Sequence, residues 1–384
     1  MKNEFQKSNR VDMMINPANR VKSIQLSQIR KMFEVCSENA INLGIGEPDF
    51  DTPLHIRQAV IESLDEGFTH YTSNKGILEL REAISKKLNA ENNIQKDPES
   101  IIVTVGASEA LYMCAQALIN KGDDVLIPDP GFLAYDAVIK ISEGNPIPIP
   151  LKMENDFRMS AEDVENKITS KTKAIILNSP SNPTGSVMNR AEIKKISKLA
   201  EDNNIFIISD EIYEKITYGT KHHSPGEFTD NAIVINGFSK TYAMTGFRVA
   251  YVAARDDIIE ELLKIHQYNT ACASSISQKA ALAAIEGPQN CVDEMVGEFK
   301  RRRDLMVGRL NEMGWECKSP EGAFYTFPYV EDSQEFISKA LENEVVAVSG
   351  KAFGKAGSEH VRMSYAASYL EIESAMDRLE KINI

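Results

Sequence analysis

The chain has 384 residues, 42% of them hydrophobic, and a formal net charge of −13 from 43 Lys plus Arg against 56 Asp plus Glu. That length allows a large buried core and predicts two domains rather than one small module. The acidic balance offers no cationic face for nucleic acid or anionic lipid, so neither is an expected partner, and an anionic ligand must be met by local cations and backbone amides.

The opening stretch MKNEFQKSNRVDMMI is polar and lacks the apolar run of a signal peptide. No segment reaches the roughly eighteen apolar residues of a membrane span, so no membrane association is expected. Cys36, Cys114, Cys272, Cys291 and Cys317 are odd in number, widely spaced and free of any CxxC pair. They predict free thiols, no zinc site, and a reducing, cytoplasmic setting.

Residues 18–35 read as a helix after Pro17, and INLGIGEPDFDTP (41–53) as an extended segment punctuated by Gly and Pro. Residues 54–66 and 76–91 read as helices. From about residue 100, short apolar runs alternate with longer amphipathic segments, the pattern of βαβ units and a mainly parallel sheet. The predicted strands are IIVTV (101–105), DVLIP (124–128), AIILN (174–178), IFIIS (205–209) and AIVIN (232–236). They are too apolar for a strand with one wet face, so helices should cover both sides of the sheet. After Gly287-Pro288 comes a long charged helix, 289–313, and then GAFYTFPYV (322–330), VVAVSG (345–350) and VRMSYA (361–366) as strands of a smaller domain. The expected division is a large domain over 51–287 and a small one over 288–384, with residues 1–50 belonging to the small one.

In open parallel sheets, ligands bind beyond the carboxyl ends of the strands. After AIILN comes SPSNPTG with Asn182, after IFIIS come Asp210 and Tyr213, and after AIVIN come Ser239, Lys240 and Arg248. After IIVTV, Gly106, Ala107 and Ser108 open a helix, whose N-terminal amides together with Arg248 suit a phosphate monoester. A buried Asp beside a pyridine ring holds the nitrogen protonated and makes the ring an electron sink, a role open to Asp210. A lysine in a pocket with other cations has a lowered pKa and attacks an aldehyde, which makes Lys240 a candidate imine former. Tyr213 and Asn182 can hydrogen-bond a phenolic oxygen of such a ring. Taken singly, Lys240 reads as a surface lysine, Asp210 as a strand-end cap, Arg248 as a salt-bridge partner and SNPTG as a turn. Their convergence on neighbouring strand ends outweighs those readings.

GFSKTYAMTGFRVAY (237–251) resembles the cofactor-attachment motif of class I aminotransferases, and LGIGEPDFDTP, SPSNPTG, SDEIY, GAFY and VRMSYA are similar to further segments of that family in the same order. The resemblance runs from about residue 20 to the C-terminus and is strongest to the aspartate- and aromatic-acting members. It implies the α/β fold of the fold type I group that binds pyridoxal 5′-phosphate. That fold has a large domain with a mostly parallel, helix-covered seven-stranded sheet and a smaller α+β domain. It makes Lys240 the Schiff-base lysine, Asp210 the partner of the pyridine nitrogen, and Asn182 and Tyr213 the partners of the phenolic oxygen. Arg248, Ala107 and Ser108 would hold the phosphate, and Phe132 would stack on the ring. Arg362 would grip the substrate α-carboxylate with a backbone contact from Gly46. Tyr71 would reach the phosphate of a neighbouring subunit, which implies a homodimer with shared active sites.

Two departures qualify the match. Gly237 stands where many relatives carry a phosphate-binding hydroxyl three positions before the lysine, so Ser239 or a backbone amide must serve. Ser108 stands where some aspartate-specific relatives carry a lysine. The activity implied is ping-pong transfer of an amino group from an aspartate, aromatic or alanine-like L-amino acid to a 2-oxo acid such as 2-oxoglutarate. A lyase or synthase on the same residues and a regulatory cofactor-binding module without turnover are the alternatives. Among the remaining features, His222-His223 reads as an exposed pair rather than a metal site and Arg301-Arg302-Arg303 as a solvated helix face. Trp315 and Met113 read as core or interface filling. Tyr325 could touch substrate or fill the small domain's core.

Overall fold

The apolar runs predicted as strands assemble into one sheet. The computed structural model describes residues 17–24 and 39–382. A single helical turn, α1 (Asn19–Lys22), is the described part of the helix predicted over 18–35, whose remainder lies outside the described residues. The short strand β1 (Ile41–Asn42) opens the extended segment, followed by helices α2 (Leu54–Asp65) and α3 (Leu78–Asn92).

The seven sheet strands are β2 (Ile101–Thr104), β3 (Asp124–Asp129), β4 (Asn145–Pro150), β5 (Thr172–Asn178), β6 (Phe206–Asp210), β7 (Ala232–Gly237) and β8 (Ala250–Ala253). Their spatial order is β2-β8-β7-β6-β5-β3-β4, with only β8 antiparallel to its neighbours. Two of these strands are absent from the predicted set. NPIPIP forms β4 despite three prolines because it is the sheet's edge and pairs on one side alone. AYVA, inside the attachment motif, forms β8.

Alternation along the strands explains the two covered faces. Ile102, Ile233 and Ile235 pack with α4 (Gly106–Leu118) and, further along the chain, with Ile258 and Leu262 of α8 (Asp256–Asn269). Ile101, Val103 and Val234 point the other way, onto α3 and α9 (Ser275–Glu286). Ile175 and Ile207 meet Ile193 and Ile196 of α7 (Arg190–Asp202) on that same side. Each fully buried aliphatic side chain contributes about 2 kcal/mol through area removed from water. The helices α5 (Ala134–Ile141) and α6 (Ala161–Glu165) complete the connections.

The chain then runs through α10 (Asn290–Glu312) into a second cluster around Phe299, Phe324, Phe336 and Tyr365. Of the predicted run 322–330, only β9 (Tyr325–Thr326) is strand, because Ala323 sits at φ 54° and Pro328 has no N–H to donate. VVAVSG splits into β10 (Val345–Val346), parallel to β1, and β11 (Val348–Ser349), antiparallel to β12 (Val361–Ser364). The chain changes partners at Ala347. Helices α11 (Ser333–Glu342) and α12 (Tyr369–Leu379) close this part. Through β1, the N-terminal segment 41–46 is therefore tied to the C-terminal part, and it passes over the carboxyl ends of the large sheet.

Candidate active site

The strand ends position the site. Asp210 is the last residue of β6, one later than the predicted strand end, and only 4% exposed. Lys240 follows β7 in a tight turn, and Asn182 follows β5. With Arg362 of β12 they line one cavity of about 490 Å³. Of the residues expected at the site, Gly46, Ala107, Ser108, Phe132, Tyr213, Ser239 and Arg248 also line it. Tyr71 does not, and stands 89% exposed on the loop between α2 and α3. Gly106 lies just behind the lining.

Lys240 Nζ donates to the Gly46 carbonyl at 2.6 Å. Burial, with Arg248 and Arg362 adding repulsion against the pull of Glu47 and Asp210, lowers its pKa from 10.5 to about 8. Burial likewise pushes the Asp210 carboxyl up to about 6, opposed by the Tyr135 hydroxyl, which donates to Oδ2 at 2.8 Å. The site thus holds an amine that readily becomes neutral and a carboxylate shielded from water.

Arg362 is 2% exposed and donates through one terminal nitrogen to Asn182 Oδ1 at 3.0 Å and through the other to the Gly44 carbonyl. Its guanidinium packs over Tyr325 at 4.5 Å and Phe353 at 4.9 Å. Its Nε has no hydrogen-bond partner among the described residues. Asn182 is braced in turn, its backbone N–H donating to Asn178 Oδ1 at 2.8 Å, while Asn178 Nδ2 donates to the Asp210 carbonyl at 3.0 Å. Tyr213 and Tyr325 share a hydroxyl-to-hydroxyl bond of 2.8 Å.

The far end of the cavity is the N-terminus of α4. Gly106 has φ 74°, and a Cβ there would lie 2.5 Å from an Arg248 terminal nitrogen, so only glycine leaves room for the guanidinium beside the free helix amides. Glu109 closes the turn from behind, accepting from the Val105 N–H at 2.5 Å and from Thr270 at 2.8 Å.

These features fit a phosphorylated pyridine aldehyde. Ala107 and Ser108 at the start of α4 line the cavity together with Arg248, and helix-terminal amides beside a guanidinium suit a phosphate. Asp210 and Lys240 line the same cavity, so a carboxylate suited to a ring nitrogen and an amine suited to an aldehyde are both at hand. The spare donor on buried Arg362 asks for an acceptor such as a carboxylate.

Tyr135 and Asn178, which sequence reasoning does not single out, also line the cavity, and Tyr325, which it leaves between two roles, is both buried and part of the lining. Two expectations are corrected. His222 is not an exposed loop residue: its side chain is 7% exposed because Nε2 pairs with buried Glu211 at 3.0 Å. Glu211, Glu214 and His222 bring three donor atoms within 4.8 Å of one another, but Glu214 is already bound by Lys87 and Asn92. Arg302 is likewise buried rather than solvated, because its guanidinium reaches Asp49 at 2.7 Å and Glu298 at 2.9 Å.

The chain is similar to known proteins along most of its length. A family model described as "Aminotransferase class I and II" matches residues 38–379. A probable aspartate aminotransferase of Methanocaldococcus jannaschii is 49% identical over 374 residues, covering 95% of this chain and 99% of its own. Aromatic-amino-acid aminotransferase 2 of Thermococcus litoralis is 42% identical, covering 95% of this chain and 97% of its own. Among solved structures, aspartate aminotransferase from Thermus thermophilus with maleate superposes with a TM-score of 0.91 at 32% identity, covering 96% of this chain and all (100%) of that one.

Proposed function

Because the chain belongs to the class I and II aminotransferases, enzymes that use pyridoxal 5′-phosphate to move amino groups, we propose that its transamination runs at the cavity built around Lys240. The observation that carries this reading is that Lys240, Asp210, Arg248 and Arg362 line one cavity. The α4 amides with Arg248 would hold the phosphate, and Asp210 the ring nitrogen. Asn182 and Tyr213 would hold the phenolic oxygen, Phe132 would stack on the ring, and Lys240 Nζ would bind the aldehyde carbon. Once bound, the cofactor supplies an electron sink for the charge left at the substrate's Cα.

The chain's own residues do the rest. Arg362 clamps the substrate α-carboxylate with its planar fork, which a lysine could not match, and so fixes where Cα lies. The Lys240 amine, within reach of the Gly46 carbonyl, would accept the proton from Cα. Its lowered pKa keeps a useful fraction neutral at physiological pH. Aromatic packing of Tyr325 and Phe353 on Arg362 excludes water from the ion pair.

For substrates, we favour a broad donor range, with aspartate holding no advantage over tyrosine or phenylalanine, and 2-oxoglutarate as acceptor. Beyond Lys240, Arg248 and Arg362, no Lys or Arg lines the cavity among the described residues, so among those residues a second substrate carboxylate finds no dedicated cation. Relatives named for both substrate classes support that breadth. We further propose a homodimer, in which exposed Tyr71 serves the phosphate of the second copy, and a cytoplasmic setting consistent with the free cysteines. No described helix is long and apolar enough to cross a membrane.

The test is a single turnover. Holoenzyme mixed with an amino acid and no acceptor should release one equivalent of 2-oxo acid per subunit and stop, and 2-oxoglutarate should restart it. Continuous release of 2-oxo acid and ammonia without acceptor would make the protein a lyase.

A further inference from the structure

Tyr135 lies in the first turn of α5, three residues beyond Phe132, and is 1% exposed. Its hydroxyl donates to Asp210 Oδ2 at 2.8 Å. Among the described residues no other side chain donates to that carboxylate, and the Ile212 amide faces Oδ1 only at a long 3.4 Å. The Tyr135 ring stands edge-on to Phe132, with centroids 5.7 Å apart at 82°, so the hydroxyl's direction is set by packing. A carboxylate at the end of a buried strand has two oxygens to satisfy, and this contact takes one of them.

We propose that Tyr135 is a positioning residue for the aminotransferase reaction: by holding Asp210 Oδ2 it aims Oδ1 at the cofactor's ring nitrogen and keeps their shared proton on the nitrogen. This rests on the assignment of Asp210 as the ring-nitrogen partner. The proton between a carboxylate and a pyridine nitrogen resides on whichever is more basic in place, and a hydrogen bond donated to the carboxylate lowers its basicity. Burial works the other way, pushing the Asp210 carboxyl upward. Without the Tyr135 hydroxyl, the carboxyl would compete for the proton and leave the ring a weaker electron sink. Tyr135 remains a donor throughout neutral pH, since burial and the neighbouring Asp210 hold its own pKa well above the ordinary tyrosine value.

The experiment uses holoenzyme reconstituted with pyridoxal phosphate labelled at the ring nitrogen, as wild type, Tyr135→Phe, Tyr135→His and Asp210→Asn. Wild type should give the nitrogen NMR signal of a protonated ring. Tyr135→Phe, which keeps the packed ring, should move that signal toward the unprotonated position and raise the pH midpoint of the visible cofactor band, because an uncharged ring withdraws less charge from the lysine linkage. Its first half-reaction should slow about tenfold, the scale of one hydrogen bond to a charged group. Tyr135→His restores a donor and should recover the wild-type signal and midpoint. An unchanged signal and midpoint in Tyr135→Phe would overturn the role of Tyr135. An unprotonated wild-type ring, or no response to Asp210→Asn, would instead overturn the Asp210 assignment beneath it.

Discussion

Gly46 and Tyr325 meet so closely that a Cβ on Gly46 would lie 2.1 Å from the Tyr325 hydroxyl oxygen. The same tyrosine packs on Arg362 and bonds Tyr213, and the Gly46 carbonyl receives Lys240. Gly46→Ala must therefore push the Tyr325 ring off its partners or shift the loop that holds Lys240. Overpacking of this kind costs about 1–3 kcal/mol, so kcat/KM for the amino donor should fall about tenfold or more. The melting temperature should fall by a few degrees, as that stability cost implies. Donor kinetics within twofold of wild type would show that the contact has no part in binding.

Arg362→Lys keeps the charge and loses the fork. The arginine reaches both Asn182 and the Gly44 carbonyl, and one ammonium cannot span both while also meeting a carboxylate. Removing one side of a buried, hydrogen-bonded charge pair costs about 2–5 kcal/mol. The specificity constant for every amino donor should drop at least tenfold, whatever its side chain, while cofactor affinity holds. A loss confined to one donor class would place Arg362 on the substrate side chain instead.

Cofactor uptake should report the Lys240 amine. Only the neutral amine attacks an aldehyde, and a pKa lowered to about 8 leaves about a tenth of it neutral at pH 7, against fewer than about one in a thousand for an ordinary lysine. The rate of reconstitution of the apoprotein should rise roughly tenfold per pH unit up to about pH 8 and then level. Stopped-flow measurement across pH 6 to 10 decides this, and a rate still climbing at pH 10 would contradict the lowered pKa.

Asp210 should cost the apoprotein stability that its function requires. Its carboxyl is pushed up to about 6 in the folded state, above the unfolded value of about 3.9. The folded state therefore binds the extra proton between those values, and stability contributed by this group is full below pH 4 and lost as pH rises to 6. Asp210→Asn should stabilise the apoprotein at pH 7 by a couple of kcal/mol at most, while abolishing most transamination. Thermal melts of both apoproteins at pH 4.5 and pH 7 check the sign. A variant less stable at pH 7 than wild type would reverse it.

The sequence carries the sheet plainly because strands buried on both faces must be apolar throughout, as in AIILN and AIVIN. It hides β4, since prolines normally argue against strand, and nothing local says that this strand sits at an edge. Asp210, Lys240 and Arg248 are legible because each follows such a strand or sits in the attachment motif. Tyr135 is not, because its partner is 75 positions away and only the fold brings the two together. Arg302 misleads for a related reason: it lies in register with the buried Val292, Met295, Phe299, Met306 and Leu310 of its helix, but the Asp49 that pairs with it lies 253 positions upstream.

Reduction of the holoenzyme with borohydride, followed by peptide mass mapping, tests the proposed cofactor linkage at Lys240 without relying on activity. One pyridoxyl phosphate group per chain is expected, on Lys240, and none on the Lys240→Ala variant treated in the same way. A label on another lysine, or the same yield from Lys240→Ala, would contradict it.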